Sequence, residues 1–154
     1  MNTSDFNSHN KNEFPPAHTT EHIINRTMIR MFGCGRAIEA HIERKKSKMD
    51  FSLAAEPTAE QVEALEQEVN RVIGLNLPVE FEYSTQEEQK DLYDLNRLPE
   101  NASEKIRIVK IGDYDACPCI GAHVGNTSEI GTFKVISSSF CDGVWRLRWK
   151  VAQN

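Results

Sequence analysis

The fold of this chain is decided most clearly by residues 141–151, which read CDGVWRLRWKV. The Asp-Gly pair in this stretch is a strong signal for the tight turn of a β-hairpin. After the turn, apolar residues alternate strictly with cations, the apolar set being Trp145, Leu147, Trp149 and Val151 and the cations Arg146, Arg148 and Lys150. Because successive side chains of a strand point to opposite faces, the apolar set should pack inward and leave the cations outward.

Two helices and several further strands are predicted before this hairpin. Apolar residues recur at helical spacing from about Ala17 to Phe32, and again after Thr58, which has the capping-box spacing to Gln61. Alternating or β-branched runs predict strands near residues 38–43, 49–53, 79–83, 105–111 and 132–137. Because the strands follow one another as hairpins, we predict an α+β fold in which a largely antiparallel sheet packs with helices.

The composition is that of one globular domain, since 39% of the 154 residues are hydrophobic and 27% are charged. Residues 1–14 are rich in Asn, Ser and charge and predict a disordered tail before a single domain over residues 15–154. No apolar run approaches the roughly 20 residues of a membrane span. The N-terminus also lacks the pattern of a secretory signal. We therefore expect a cytoplasmic protein without membrane contact, and the sequence predicts no oligomeric state.

A metal site is predicted from two pairs of residues with the same spacing. His18 and His22 lie four residues apart on the first predicted helix and therefore share a face. Cys119 and His123 repeat this offset on a late loop. Zinc favours tetrahedral nitrogen and sulfur ligands, so the four side chains predict one Zn²⁺ between the helix and the loop. Cys117 either replaces Cys119 in this set or lies beside the ligands.

Four stretches resemble the editing domain that alanyl- and threonyl-tRNA synthetases share. They are HTTEH at residues 18–22, DACPCIGAHV at 115–124, TSEIGTFKV at 127–135 and GVWRL at 143–147. The resemblance covers about residues 17–151 without a synthetase domain, as in the short freestanding alanyl-tRNA editing proteins. It implies that Zn²⁺ is held by His18, His22, Cys119 and His123.

The resemblance also implies an activity, the hydrolysis in trans of the ester of mischarged tRNA, typically serine or glycine on the tRNA for alanine. A zinc ion in such a site either activates water and polarises the ester carbonyl or holds the amino group of the substrate. Glu21 and Asp115 are the acids nearest to the predicted ligands in sequence. Either one is a candidate for a general base or for orienting a ligand imidazole.

Binding of tRNA requires local cations, because the net charge of the chain is -5 and the RNA backbone is anionic. Two clusters are candidates for contacts with the phosphates of the acceptor end. One lies on a predicted turn and contains Lys45, Lys46 and Lys48. The other is the outward face of the last strand, with Arg146, Arg148 and Lys150.

Two other functions remain open on the sequence alone. Ile120 and Ala122 stand where the editing family has Gly and Thr, so the chain is alternatively a zinc-binding module of the same fold that has lost catalysis. His18, Glu21 and His22 also fit the His-x-x-Glu-His motif of inverted zinc metallopeptidases, with Glu21 as the general base. That alternative leaves Cys119 and His123 unexplained.

Overall fold

The computed structural model of the protein describes residues 14–85 and 105–152. Residues 1–13 of the predicted tail lie outside this part of the chain. The last residue of that tail, Phe14, is buried in the core, and the guanidinium carbon of Arg44 lies 4.4 Å from the centroid of its ring. The packed structure therefore includes Phe14, one residue earlier than the predicted domain boundary.

Helix α1 spans Pro15–Phe32, two residues more at its start than the apolar pattern predicts. Proline suits the first turn of a helix because the amide hydrogens there have no partner within the helix. The helix ends at Gly33, which adopts a left-handed conformation with φ of 66° and donates its N–H to the carbonyl of Ile29. Helix α1 carries both histidines of the first predicted ligand pair.

Helix α2 spans Ala59–Ile73, and the predicted capping box at its start is confirmed. The hydroxyl of Thr58 accepts from the N–H of Gln61 at 3.1 Å, and the side chain of Gln61 accepts from the N–H of Thr58 at 2.8 Å. These two bonds satisfy amide hydrogens that the first turn leaves without partners.

The described residues form seven strands: β1 Glu39–His41, β2 Ser47–Ser52, β3 Val79–Thr85, β4 Lys105–Ile111, β5 Asp115–Pro118, β6 Thr132–Cys141 and β7 Val144–Ala152. They make two antiparallel sheets, one with the order β1-β2-β7-β6 and one with the order β3-β4-β5. The α+β prediction with antiparallel pairing is confirmed, but the strands divide between two sheets. Among the described residues, no helix combines the length and the apolar character needed to cross a membrane.

The hairpin of β6 and β7 has the structure that its sequence predicts. Asp142 and Gly143 have φ values of 51° and 80° at the turn, as the two central residues of a type I′ turn require. The four apolar residues of β7 are buried and the cations lie on the opposite face. The strand predicted near residues 38–43 is present as β1, but it is a short edge strand whose residues are all exposed, so its alternating pattern does not give one buried face.

The core lies between the inner face of the four-stranded sheet and the two helices. Helix α1 packs against α2, against β7 and against β5 of the smaller sheet. Strand β5, which the sequence did not predict, ends just before the loop that carries Cys119 and His123. The contact of α1 with β5 therefore brings the two halves of the predicted metal site together.

Candidate metal centre and its surroundings

Three of the four predicted zinc ligands meet where α1 faces the loop after β5. One donor atom each from His22, Cys119 and His123 lies within 4.8 Å of the other two. The Nε2 atom of His123 is 3.4 Å from Sγ of Cys119, and the rings of His22 and His123 have centroids 4.8 Å apart. Two imidazoles and a thiolate are a donor set that suits zinc.

His18, the fourth predicted ligand, lies one helical turn before His22 and at the edge of this group. Its ring centroid is 6.4 Å from that of His123. Its Nδ1 atom is 3.9 Å from a carboxylate oxygen of Glu21, whose side chain is 24% exposed. The spacing in sequence therefore places His18 beside the three donors, but outside the group with all donor atoms within 4.8 Å.

Asp115, one of the two acids singled out in the sequence, is fully buried and held by two guanidinium groups. Arg36 donates to both carboxylate oxygens at 3.0 and 2.9 Å, and Arg26 donates to Oδ1 at 3.0 Å. The Oδ2 atom of Asp115 is also 3.4 Å from Nδ1 of His22. A carboxylate beside Nδ1 favours a proton on that nitrogen and leaves the lone pair of the ring on Nε2.

Thr19, which lies between the two histidines of α1, joins this helix to the loop of His123. Its hydroxyl donates to the carbonyl of Pro15 at 3.0 Å and accepts from the N–H of Val124 at 3.1 Å. The same oxygen lies 3.3 Å from Nδ1 of His123. Because the single hydroxyl hydrogen is used on Pro15, Nδ1 of His123 is the donor in this contact. The lone pair of His123 is then on Nε2, the nitrogen that faces Cys119.

Arg107 on β4 fixes the backbone of the loop that follows β5. Its guanidinium donates to the carbonyl of Cys119 at 2.9 Å and to the carbonyl of Gly121. The carbonyl of Arg107 in turn accepts from the N–H of Cys119 at 3.1 Å. These bonds hold both ends of the turn between Cys119 and Gly121, and they set the direction in which the thiol points.

Burial and neighbouring charges shift the pKa values of two of the three donors, Cys119 and His123, towards the protonation states of metal ligands. Burial lowers the pKa of His22, but its bonds with Asp115 and the two cysteines outweigh this effect and raise the pKa overall. Burial raises the pKa of Cys119, but the hydrogen bond and charge of His22 outweigh this effect and lower the pKa overall. Burial, together with the charges of His22, His18 and Arg107, lowers the pKa of His123 to about 2. A thiol with a lowered pKa and a neutral imidazole are the forms in which these side chains bind metals.

Cys117, the alternative thiol ligand, lies on β5 and also contacts His22. Its Sγ atom is 3.4 Å from the carbonyl of Pro118, and its interaction with His22 contributes to the raised pKa of that histidine, for which burial acts in the opposite direction. Cys117 is outside the group of three close donors, whereas Cys119 belongs to it. The geometry therefore favours Cys119 as the thiolate of the centre.

The predicted RNA-binding cations of β2 and β7 share the outer face of the four-stranded sheet, which is turned away from the helices. Lys48 is paired in register with Arg148, and Asp50 with Arg146. The guanidinium of Arg146 donates to both oxygens of Asp50 at 2.8 and 3.0 Å. Lys150 is exposed, and Lys45 and Lys46 lie in the exposed segment before β2. Helix α1, which carries His22, packs against the inner face of this sheet. The cationic face and the metal centre are therefore on opposite sides of the sheet.

Four residues that support the centre were not singled out from the sequence, namely Thr19, Arg26, Arg36 and Arg107. The positions of two of them in the sequence, relative to the predicted ligands, could have indicated a role at the centre. Thr19 lies inside the His-x-x-x-His stretch, and Arg26 is four residues after His22 on the same face of α1. No local pattern indicates Arg36 or Arg107. Arg36 contacts the centre from the loop after α1, and Arg107 contacts it from β4 of the smaller sheet.

Comparisons with known proteins agree with this architecture. A family model described as the second additional domain of threonyl and alanyl tRNA synthetases matches residues 106–148. Alanine–tRNA ligase of Coxiella burnetii is 33% identical over 126 residues, which are 80% of this chain and 14% of that protein. The ligase of Streptococcus sanguinis is 35% identical over 121 residues, 77% of this chain and 14% of that protein.

The ligase of Bacillus subtilis is 28% identical over 138 residues, 89% of this chain and 16% of that protein. The chain thus spans about 14% of the length of the first curated relatives that it matches. The residues that the family model matches include Arg107, Asp115, Cys119 and His123. The chain is therefore an editing-domain-like protein related to alanyl-tRNA synthetases.

Proposed function

We propose that the chain is a zinc-dependent hydrolase that removes the wrong amino acid from mischarged tRNA in trans, with serine or glycine on the tRNA for alanine as substrates. The observation that carries this proposal is the group of His22, Cys119 and His123, assembled from two stretches that resemble the editing motifs. We assign residues 15–154 to the editing domain, with Phe14 packed into its core. A zinc ion bound there would supply a Lewis acid beside the ester carbonyl.

The residues that would hold zinc are His22, Cys119 and His123, with His18 as the fourth. Catalytic zinc sites commonly have three protein ligands and one position open to water or substrate. The separation of His18 from the three close donors fits this pattern. His18 would therefore be the weakest of the four ligands of a zinc ion bound there.

The two acids have different roles in this proposal. Asp115 is fully enclosed by Arg26, Arg36 and His22, so it has no path to a substrate and positions the imidazole of His22. Glu21 is partly exposed on the same turn of α1 as His18. A general base must come within hydrogen-bond reach of the proton it takes, and Glu21 is the acid with this access.

The cations of the outer sheet face are proposed to contact RNA away from the reacting end. Lys45, Lys46, Lys48, Arg146, Arg148 and Lys150 lie on the far side of the four-stranded sheet or in the segment that leads into it. A tRNA is long enough to contact both the metal centre and the opposite face of so small a protein. Contacts to phosphate position the RNA and carry no sequence information.

Deacylation of a panel of mischarged tRNAs tests the proposal. Each tRNA carries a labelled amino acid, and its release is followed with wild-type protein, with His22→Ala protein and with neither. We expect release of serine or glycine from the tRNA for alanine by the wild type and loss of at least a hundredfold in rate with His22→Ala. Matched peptide substrates should remain intact. A wild type that binds zinc and deacylates no tRNA would support the module without catalysis.

A further inference from the structure

Two exposed aromatic residues of β3, Phe81 and Tyr83, form a surface next to the metal centre. Alternate residues of β3 share one face of its sheet, and along this face exposure rises from 7% at Val79 to 43% at Phe81. The next residue of the same face, Tyr83, is 69% exposed. The face is therefore buried at Val79 and exposed to solvent further along the strand, where it carries two aromatic rings.

Residues on this same face of the small sheet surround the metal centre. In the register of the small sheet, Phe81 is opposite Val109, and Val109 is opposite Cys117. Residues that are opposite each other in an antiparallel pair project to the same side. Asp115, two residues before Cys117, projects to this side as well, and its carboxylate contacts His22.

Phe81 connects the metal centre with the exposed end of the face. Its ring centroid is 6.4 Å from that of His123, and the guanidinium carbon of Arg107 is 4.6 Å from the centre of the same ring. Ile120, the residue after Cys119, is 40% exposed. Tyr83 is paired with Arg107 in register. The ring of Phe81 thus lies beside the donor His123, and Tyr83 continues the same face of β3 into solvent.

We propose that Phe81 and Tyr83 stack against the terminal nucleobase of the RNA substrate. This inference rests on the proposed function, in which the ester to be hydrolysed lies at the metal centre. The base and the ester are carried by the same ribose, so a base must lie within one nucleotide of His123 during the reaction. Unpaired bases bind proteins by stacking on aromatic side chains. Among the residues described, the ring of Phe81 is exposed and 6.4 Å from that of His123, and the exposed ring of Tyr83 follows it on the same face of β3.

The chemistry of the surface defines what it recognises. A ring face stacks on every base, so Phe81 and Tyr83 should tolerate any terminal base. Stacking requires that the base be out of a duplex, so a blunt duplex end should bind much less well than a single-stranded end. The surface would therefore select an unpaired RNA end and leave the choice of amino acid to the metal centre.

A short single-stranded RNA with 2-aminopurine as its 3′-terminal base is the probe for this inference. The fluorescence of 2-aminopurine falls when it stacks, so wild-type protein should quench the probe in a saturable way. Tyr83→Ala and Phe81→Ala should each weaken binding about fivefold to a hundredfold and reduce the quenching. Tyr83→Phe should keep both. Ile136→Ala, at a residue of β6 that is 46% exposed, is the matched control and should have no effect.

Zinc content and circular dichroism identify variants that fail to fold, and the exposure of Tyr83 makes Tyr83→Ala the safer of the two. Unchanged affinity and quenching in folded Tyr83→Ala and Phe81→Ala proteins would overturn the inference. An equal loss with Tyr83→Phe and Tyr83→Ala would also overturn it, because the hydroxyl and not the ring would then matter. A wild-type dimer that becomes monomeric in both alanine variants would assign the surface to a second copy of the chain instead.

The inference and the proposed function fail in different ways. If the wild type deacylates tRNA but does not quench the probe, the stacking surface is wrong and the activity stands. If the wild type quenches the probe through Phe81 and Tyr83 but deacylates no tRNA, the surface stands and the proposed hydrolase is wrong. Absence of both results would reject both.

Discussion

The carboxylate of Asp115 lies 3.4 Å from the Nδ1 atom of His22, on the side of the ring away from the nitrogen available to a metal. Arg36 and Arg26 neutralise this carboxylate within the buried interior. Burial raises the pKa of Asp115, but His22 and Arg36 outweigh it and hold the pKa well below its usual range. Asp115 is therefore an ionised, enclosed group whose position determines the orientation of His22.

Replacement of Asp115 by Asn should weaken zinc binding about tenfold to hundredfold, as loss of a group that orients a ligand histidine does. The same change removes the counter-charge of Arg26 and Arg36, whose side chains are 31% and 17% exposed. The free energy of unfolding in chelator should therefore fall by about 1.5–3 kcal/mol, the range for hydrogen bonds to charged groups. Asp50→Asn is the matched control, because Asp50 also pairs with an arginine but on the outer sheet face. Zinc affinity in competition with a chelator is the measurement. Wild-type affinity in folded Asp115→Asn protein would contradict the positioning role.

Thr19→Val keeps the shape of the side chain and removes the oxygen that contacts Val124 and His123. We expect a loss of about tenfold to hundredfold in zinc affinity, because His123 loses the partner of its Nδ1 atom. Thr20→Val is the control, since the hydroxyl of Thr20 is equally buried and donates only to the carbonyl of Pro16, at 2.7 Å. If both variants lose the same amount of zinc affinity, the loss comes from α1 in general and the specific role of Thr19 is wrong.

Cys119→Ala should abolish stoichiometric zinc binding, whereas Cys117→Ala should retain it. The reason is that Cys119 belongs to the group of close donors and Cys117 does not. Cobalt substitution gives an independent readout, because the charge-transfer band from a thiolate should disappear only in Cys119→Ala. The opposite pattern, with zinc lost in Cys117→Ala and kept in Cys119→Ala, would assign the ligand to Cys117.

The sequence predicts those parts of the fold that depend on local chemistry. The alternation in β7, the Asp-Gly turn and the capping box at Thr58 are each determined by residues within one element or turn, and the structure contains all three. Strand β5 was not predicted, because it has four residues and a terminal proline. Its strand character comes from pairing with β4, which no local pattern reveals.

The residues of the metal centre also differ in whether local sequence predicts them. His22, Cys119 and His123 could be found because ligand spacing is a local property of a helix or a turn. Arg36 is bound to Asp115 across 79 residues of sequence, so only the packing of α1 on β5 reveals this contact. The division of the strands into two sheets also depends on this packing, since each hairpin alone fits either arrangement.

Arg148→Glu should weaken binding of tRNA and lower the slope of log affinity against log salt by roughly one unit, as loss of one phosphate contact does. Arg146→Glu should have a smaller effect, because Arg146 already forms an ion pair with Asp50. Arg71→Glu on α2 is the control with the same change of net charge on another surface. Zinc content should be unchanged in all three variants. Equal slopes for the Arg148→Glu variant and the wild type would remove β7 from the RNA-binding surface.

The dependence of deacylation on bound zinc tests the central claim most directly. Protein purified without added metal is assayed for zinc and for hydrolysis of serine from the tRNA for alanine, then stripped with a chelator and restored with zinc. We predict about one zinc per chain and a rate that falls and returns in proportion to the zinc bound. Less than about a tenth of an equivalent with no uptake on restoration, or full activity in the stripped protein, would contradict the account.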